Sequence, residues 1–505
     1  MDEGAADSLE RQHVQATSVV GYGIVCGLAF PLMISSTFLQ EMSLSHGAGD
    51  AFGALFFLAH SLTMALTALA NLFHRTSSHR AHMASAYAAV FVGNLLMLGR
   101  TIGLVEGGWL YAFLASGAIG YGLATAELGW MARITALHEA GRISLARTVP
   151  LAFLCGAGIA ALIFYASGAT EIAFALVIIV VSAVPPLRRP APERADLRIS
   201  FSQGGAGDFA KAVSYLAVFS FVFGAVSQVA TRTGSDPVPI EAQAVAGILA
   251  ACAALLAYVT RRKRTIAVND LYNVLFPVVA LALVALPFIN SPELHVAAAV
   301  LVFTAFYLTG MNVRVAVCLL GERDRVSMWV YLGLALAASG LLILAGVLLG
   351  AFVLSQDNPA MGLAVVSLVS LFVLALSPVV TARLEQRRAQ AAAANAARPS
   401  AGSRASTDAA AGPGNTSSVR PEPADILALQ AELLRSFAER CGLTARETDV
   451  LVLLGQGRTR TYIAAELGLS PNTVKGYIRN IYQKSGAVDK QDLLDRVELF
   501  EQGRL

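Results

Sequence analysis

Charge is scarce in this chain. Of 505 residues, 14% are charged and 56% are hydrophobic, whereas a soluble globular protein carries about 25% charged residues. The mean hydropathy is +0.61. A wholly soluble protein is excluded, because apolar runs near the 20 or so residues of a spanning helix dominate the sequence. Cysteine is also sparse, at five residues. Cys26, Cys155, Cys252 and Cys318 lie within apolar runs and Cys441 in a polar tail, which argues against an extracellular disulfide framework. The first residues, Met1–Gln15, are polar and acidic and lack the basic stretch of a cleaved signal peptide. The first apolar run is therefore expected to be a retained helix. No His/Cys cluster has metal-ligand spacing, no nucleotide-binding loop occurs, and no nucleophile is paired with a base. The expected catalytic, metal and cofactor sets are empty, and no enzyme is expected.

Twelve apolar runs of near-spanning length fall between residues 18 and 382. The fifth and sixth, 148–167 and 170–187, are separated by only a short stretch near Ser167–Glu171. The net charge of +3 says little as a sum, but its distribution does. Twenty Lys/Arg residues, from Arg11 through the Arg261–Arg264 cluster to Arg388, collect on alternate loops. The opposite loops show Arg232, with Arg100 near a helix end. Positive charge marks the cytoplasmic side. The expected topology is an even number of helices with both termini in the cytoplasm.

The longest inner loop, about Arg188–Phe209, divides the runs six and six. In this topology the membrane half resembles the major facilitator superfamily, in which two six-helix halves surround a midplane site. The loop between runs two and three reads His74-Arg75-Thr76-Ser77-Ser78-His79-Arg80. It keeps the basic charge of that family's Gly-Asp-Arg-Gly-type motif and lacks its Gly and Asp, a departure that puts active transport in doubt.

Ionisable residues within spans are costly and often functional. The candidates for a small-molecule site are Arg100, Asn94, Glu127 and Arg314, with Asn273, Asn312, Gln228 and His60 as further polar residues. Glu127 and Arg314 are expected a few residues from inner helix ends, where snorkelling or structural pairing is the competing role. Arg100, toward the outer end of its helix, is placed to meet an anionic ligand. Asn residues in such spans often serve as interhelical hydrogen-bond partners.

Residues 1–17 are expected as a cytoplasmic N-terminal segment and 18–382 as the transmembrane domain. Residues 383–423 should form a helical extension followed by an Ala/Gly/Ser/Pro-rich flexible linker. In 424–441, Ile426, Leu429, Leu433 and Phe437 recur at helical spacing. That amphipathic connector helix either dimerises or caps the domain after it.

Residues 442–505 read as a DNA-binding domain of four helices. Thr444 and Glu447 have the spacing of a capping box. Gly455-Gln456-Gly457 ends that helix, Thr459 can cap the next, and Gly468 can close it. Ser470-Pro471 is a second start signal, with Ser at the N-cap and Pro at the first helical position. The helix it opens carries Lys475, Arg479 and Lys484 and no acidic residue. Two helices flanking a short turn form a helix-turn-helix, whose second helix enters the major groove.

This segment resembles the LuxR family, in its NarL/FixJ-type DNA-binding domain. The matching residues are Leu443-Thr444, Arg446-Glu447, Val450-Leu451, Gly457, Ile463-Ala464, Leu467–Ser470, Thr473–Lys475, Ile481 and Lys484. By that resemblance Thr473, Lys475, Gly476 and Arg479 face DNA. Asn472 and Asn480 are candidates for phosphate contacts, and Lys484 joins the set. Tyr462, Tyr477 and Ser485 depart from the family's usual Glu, His and Leu. The family's fourth helix mediates dimerisation on DNA. Here that implies Leu493, Leu494, Val497 and Phe500, with burial in the domain's own core as the alternative.

The expected whole is all-α: a polytopic twelve-helix bundle (6+6) followed by a four-helix DNA-binding domain. The function expected is that of a membrane-bound one-component transcriptional regulator in a bacterial cytoplasmic membrane. Its expected partners are double-stranded promoter DNA, the lipid bilayer, a small-molecule ligand and a second copy on DNA. RNA polymerase is a further candidate. The alternative is a transporter with a regulatory DNA-binding tail.

Overall fold

A computed structural model describes residues 3–34, 48–73, 79–105, 108–165, 169–188, 205–232, 238–262, 265–289, 291–324, 326–354, 359–396, 423–455, 463–464, 466–487, 492–493, 496–497 and 500. Among the described residues every regular element is helical and no strand occurs. The chain divides into two compact units, Met1–Pro399 and Ser400–Leu505.

The first unit contains, among the described residues, twelve α-helices: α1 (Glu3–Ile34), α2 (Ala48–Phe73), α3 (His79–Thr101), α4 (Trp109–Glu139), α5 (Leu145–Tyr165), α6 (Ala169–Arg188), α7 (Gly205–Arg232), α8 (Ile240–Arg262), α9 (Val268–Ala285), α10 (Pro292–Asp324), α11 (Met328–Leu354) and α12 (Pro359–Ala396). Each overlaps one expected run. Nine are long and apolar enough to cross a membrane, counted over the described residues. Helix is what a lipid-embedded chain adopts, because every backbone N–H and C=O then finds a partner within its own segment.

Packing inside this unit repeats. α1 lies on α5 as α7 lies on α11, and α3 on α4 as α9 on α10. Across the two sets of six, α2 packs on α11 and α5 on α8. Glycine permits the tightest of these approaches, as small residues do generally between membrane helices. A Cβ on Gly156 of α5 would lie 2.9 Å from the Gly23 carbonyl oxygen of α1, and one on Gly224 of α7 would lie 2.2 Å from that of Ile343 on α11.

Polar ties hold each set of six together. In the first, Trp130 Nε1 donates to the Tyr87 hydroxyl at 2.8 Å and to Ser182 Oγ at 3.1 Å. Ser182 Oγ in turn donates to the Gly21 carbonyl, so α1, α3, α4 and α6 meet at one buried network. In the second, Tyr215 donates to Asn269 Oδ1 at 3.0 Å and Tyr272 to the Leu374 carbonyl at 2.6 Å, joining α7, α9 and α12. An ion pair recurs too. Glu10 of α1 meets Arg142 just beyond α4, and Asp208 of α7 meets Arg323 at the end of α10. In each half, an acid on the first helix holds an arginine at the end of the fourth.

Three helix ends differ from the sequence reading: the start of α1 and the ends of α4 and α10. Residues 3–17, expected as a separate segment, continue α1; the run Ala5-Ala6 to Leu9-Glu10-Arg11 is compatible with helix, and the Glu10–Arg142 pair anchors it. α4 runs on to Glu139 and α10 to Asp324, so Glu127 and Arg314 are interior to their helices rather than near the ends. The apolar run stops where loop charge begins, but the helix does not. α12 continues unbroken to Ala396. Most of the stretch expected as a flexible linker, residues 397–422, lies outside the described residues.

The second unit contains α13 (Pro423–Arg440), α14 (Ala445–Gly455) and α15 (Pro471–Ser485), with a short helical piece at Ile463–Ala464. Its core gathers Leu434 and Phe437 of α13, Val450, Leu451 and Leu454 of α14, Ile463, and Val474 and Ile481 of α15. Phe437 and Ala438 are fully buried. The C-terminal half of the connector helix is thus part of the core of the domain it precedes.

Candidate functional site

Four helices bring polar side chains to one place inside the bundle. Glu127 comes from α4, Arg314 from α10, Tyr22 from α1 and His60 from α2. Glu127 Oε1 accepts from Arg314 Nε at 3.0 Å and Nη2 at 2.8 Å, and from the Tyr22 hydroxyl at 3.3 Å. Arg314 Nη1 donates to the Gly310 carbonyl at 3.1 Å. The guanidinium carbon lies 5.3 Å from the centre of the Phe153 ring, a cation–π distance. His60 Nε2 stands 3.7 Å from Glu127 Oε2, beyond hydrogen-bond length.

Glu127, Arg314 and His60 form part of the wall of a cavity, completed by aromatic and aliphatic residues that include Phe30, Phe57, Phe153 and Phe306, while Tyr22 stands behind Glu127. Its lining is drawn from α1, α2, α4 and α5 on one side and α10 and α11 on the other, so it lies between the two sets of six helices. Two of the four ligand-site candidates, Glu127 and Arg314, meet here. The other two are elsewhere. Asn94 Nδ2 donates to the Val90 carbonyl one turn back along its own helix. Arg100 occupies the last turn of α3. Neither lines this cavity. Tyr22 and Tyr307, which do shape the site, were not among the sequence candidates. A tyrosine within an apolar run carries no signal that separates a cavity residue from a packed one.

The second unit builds a different kind of surface. The Thr444 amide donates to Glu447 Oε2 at 2.8 Å and the Glu447 amide to Thr444 Oγ1 at 3.4 Å, so the capping box closes reciprocally. Ser470 caps α15 by accepting from the Thr473 amide at 3.1 Å, with Pro471 as the first helical residue. Gly468 and Gly486, at φ of +64° and +71°, close the two turns in the left-handed region that glycine adopts at no steric cost. The expected Thr459 cap and the Gly457 helix end lie outside the described residues.

α15 is sharply two-faced. Val474 and Ile481 are fully buried. Asn472, Thr473, Lys475 and Arg479 are exposed, and Gly476 and Asn480 are half-buried. Lys484 behaves differently from the rest of the expected DNA-contact set. Its Nζ donates to Glu447 Oε2 at 2.7 Å and to the Gly442 carbonyl at 3.3 Å. Nine residues at about 100° each put it on the side of the helix opposite Lys475. That bond, followed by the Thr444 amide, lowers the Glu447 carboxyl to about 2. Lys484 is thus tied within its own domain, on the side of α15 turned from Lys475.

The expected dimerisation stripe is also redistributed. Leu493 and Val497 are buried in the domain's own core. Phe500 packs edge-on against Phe437, with ring centres 5.7 Å apart. The side chain of Leu494 lies outside the described residues. An apolar stripe at helical spacing reports burial and not whose surface provides it.

Comparison with known proteins agrees with this division. Residues 442–497 match the model of the bacterial regulatory proteins of the luxR family. The membrane unit resembles solved transporters. A bacterial homologue of the iron transporter ferroportin, in an outward-facing state, is 12% identical at a TM-score of 0.54, over 73% of this chain and 98% of that one. The human organic anion transporter MFSD10 is 14% identical at a TM-score of 0.51, over 72% and 99%. The major facilitator superfamily transporter FucP is 12% identical at 0.50, over 73% and 98%. At these identities the likeness concerns the fold. The chain is a multi-pass membrane protein with a major-facilitator fold, and it ends in a LuxR-type DNA-binding domain.

Proposed function

We propose that this protein is a one-component membrane regulator of transcription. The observation that carries the reading is the joining, in one chain, of a LuxR-type domain with an exposed Lys475/Arg479 face to a membrane bundle whose inner cavity has the Glu127–Arg314 pair in its wall. The domain binds double-stranded promoter DNA, with Lys475 and Arg479 at base edges or phosphates and Asn472, Thr473, Gly476 and Asn480 beside them. The bundle resides in a bacterial cytoplasmic membrane with both termini inside, as the Lys/Arg asymmetry of its loops supports. A small molecule binds between the halves through Glu127, Arg314 and their neighbours and shifts their arrangement. It does so only to the extent that it binds one arrangement more tightly than the other. The head then gains or loses DNA access or pairing with a second copy, and RNA polymerase is recruited or blocked accordingly.

The test is genome-wide mapping of DNA cross-linked to the full-length protein, beside a Lys475→Glu/Arg479→Glu variant. Discrete peaks that vanish in the variant are expected, together with altered transcription of the adjacent genes. If the variant leaves every peak and transcript unchanged, the regulator reading is wrong. Ligand accumulation in proteoliposomes that survives deletion of residues 424–505 would instead establish the transporter alternative.

A further inference from the structure

The cavity between the halves is largely apolar, with the Glu127–Arg314 pair set in its wall. Arg314 has three of its nitrogens engaged, Nε and Nη2 by Glu127 and Nη1 by the Gly310 carbonyl. Glu127 Oε1 already accepts three hydrogen bonds. An anion entering here would have to take Arg314 from Glu127 and leave a buried carboxylate unpaired. A cation could approach only Glu127 Oε2, which faces His60 Nε2 at 3.7 Å, and there it would add an uncompensated charge beside Arg314 at a pair that is already neutral. Removing one partner from a buried pair carries a large penalty, because the remaining charge has lost its compensation. The side chains of this pair are 15% and 11% exposed, so water offers little relief.

The cavity does offer uncommitted hydrogen-bonding capacity. The Tyr307 side chain, which lines it, is 2% exposed, and its hydroxyl has no partner among the described residues. A buried polar group without a partner is unusual and calls for an occupant. His60 Nε2, by contrast, is turned to Glu127 Oε2 at 3.7 Å. Around these two groups the wall is made largely of aromatic rings. Tyr307 itself stands edge-on to Phe30 at 5.5 Å and to Phe306 at 5.0 Å.

We infer that this cavity takes an uncharged, largely apolar molecule carrying a hydrogen-bonding oxygen, which the Tyr307 hydroxyl meets while the Glu127–Arg314 pair stays intact. The inference rests on the reading of the bundle as a sensor, and it adds the ligand's class. Such a molecule partitions into lipid, so the bilayer itself can supply it. Because the lining comes from both halves, an occupant touches α1 and α10 together and favours the arrangement in which they are close.

Binding is read directly on the purified full-length protein in detergent, with four small probes of one shape, suited to a cavity of about 50 Å³: isobutanol, isopentane, isobutyrate and isobutylammonium. The alcohol is expected to bind most tightly and both ions least. Tyr307→Phe keeps the ring and removes only the hydroxyl. It should weaken the alcohol about three- to tenfold, the worth of one net hydrogen bond, and leave the hydrocarbon unchanged. Tighter binding of either ion overturns the inference, as does failure of all four probes to bind. Equal binding of alcohol and hydrocarbon with no effect of Tyr307→Phe also overturns it, and assigns the hydroxyl to a bound water. None of these results bears on the cross-linking peaks, so failure of this inference is distinct from failure of the regulator reading.

Discussion

Arg314 on α10 closes with two nitrogens on a single carboxylate oxygen of Glu127 on α4, a partner 187 residues earlier in the chain. α4 and α10 occupy equivalent places in the two sets of six helices. The Glu10–Arg142 and Asp208–Arg323 pairs each act within one half, whereas this one acts between halves.

Breaking it should therefore loosen the junction of the halves. Glu127→Gln and Arg314→Gln each leave a buried charge without its partner, and such truncations cost about 3–5 kcal/mol. Both should lower the thermal midpoint of the purified protein. The double variant, with neither charge, should recover much of the loss. Additive losses in the double variant would show that the two side chains do not act as a pair.

The head makes an electrostatic prediction with an internal control. Lys475 and Arg479 are exposed on one face of α15, while Lys484 is bonded to Glu447 on another. Each phosphate contact contributes about one unit to the slope of log affinity against log salt. Lys475→Gln and Arg479→Gln should each weaken operator binding and reduce the slope by about 1. Lys484→Gln should lower the melting temperature of the 423–505 segment and leave the salt slope unchanged. A reduced slope for Lys484→Gln would place it in the DNA-facing set.

Glu447 gives the domain a defined acid sensitivity. Its carboxyl is lowered to about 2 in the fold by the Lys484 hydrogen bond and the Thr444 amide. In the unfolded chain a glutamate titrates near 4.3 or so. A depressed carboxylate adds stability that is fully present above the unfolded value and is lost as pH falls through the folded one. The 423–505 segment should therefore lose stability from about pH 4.5 down to about pH 2. In Glu447→Gln that part of the pH dependence should be flattened, which denaturant melts across this range would read out.

Much of this arrangement is legible from local signals. Apolar run length locates α1 to α12, because lipid forces backbone hydrogen bonds to close within each segment. Thr444 with Glu447, and Ser470 with Pro471, mark helix starts through neighbours three residues away at most. What escapes is set by distance or by register. Glu127 and Arg314 are visible as charges within spans, but only the folded bundle pairs them. Tyr307 is invisible because its environment, not its identity, leaves the hydroxyl unpartnered. Lys484 shares a helix and a charge with Lys475 and is separated from it in role by half a turn.

Leu493 poses the sharpest question of register, since the same stripe serves a core or a partner. It is 1% exposed within the core that Phe437, Val450 and Ile481 build. Truncating a buried leucine to alanine costs about 2–5 kcal/mol through lost burial and a residual cavity. Leu493→Ala should therefore destabilise the 423–505 segment by that amount at every protein concentration. A dimer interface behaves differently, because its contribution to stability depends on protomer concentration. Denaturation of wild type and Leu493→Ala over a hundredfold range of concentration separates the two roles. A parallel offset assigns Leu493 to the core. A loss that appears only where the wild-type segment is dimeric would instead restore it to the interface between copies.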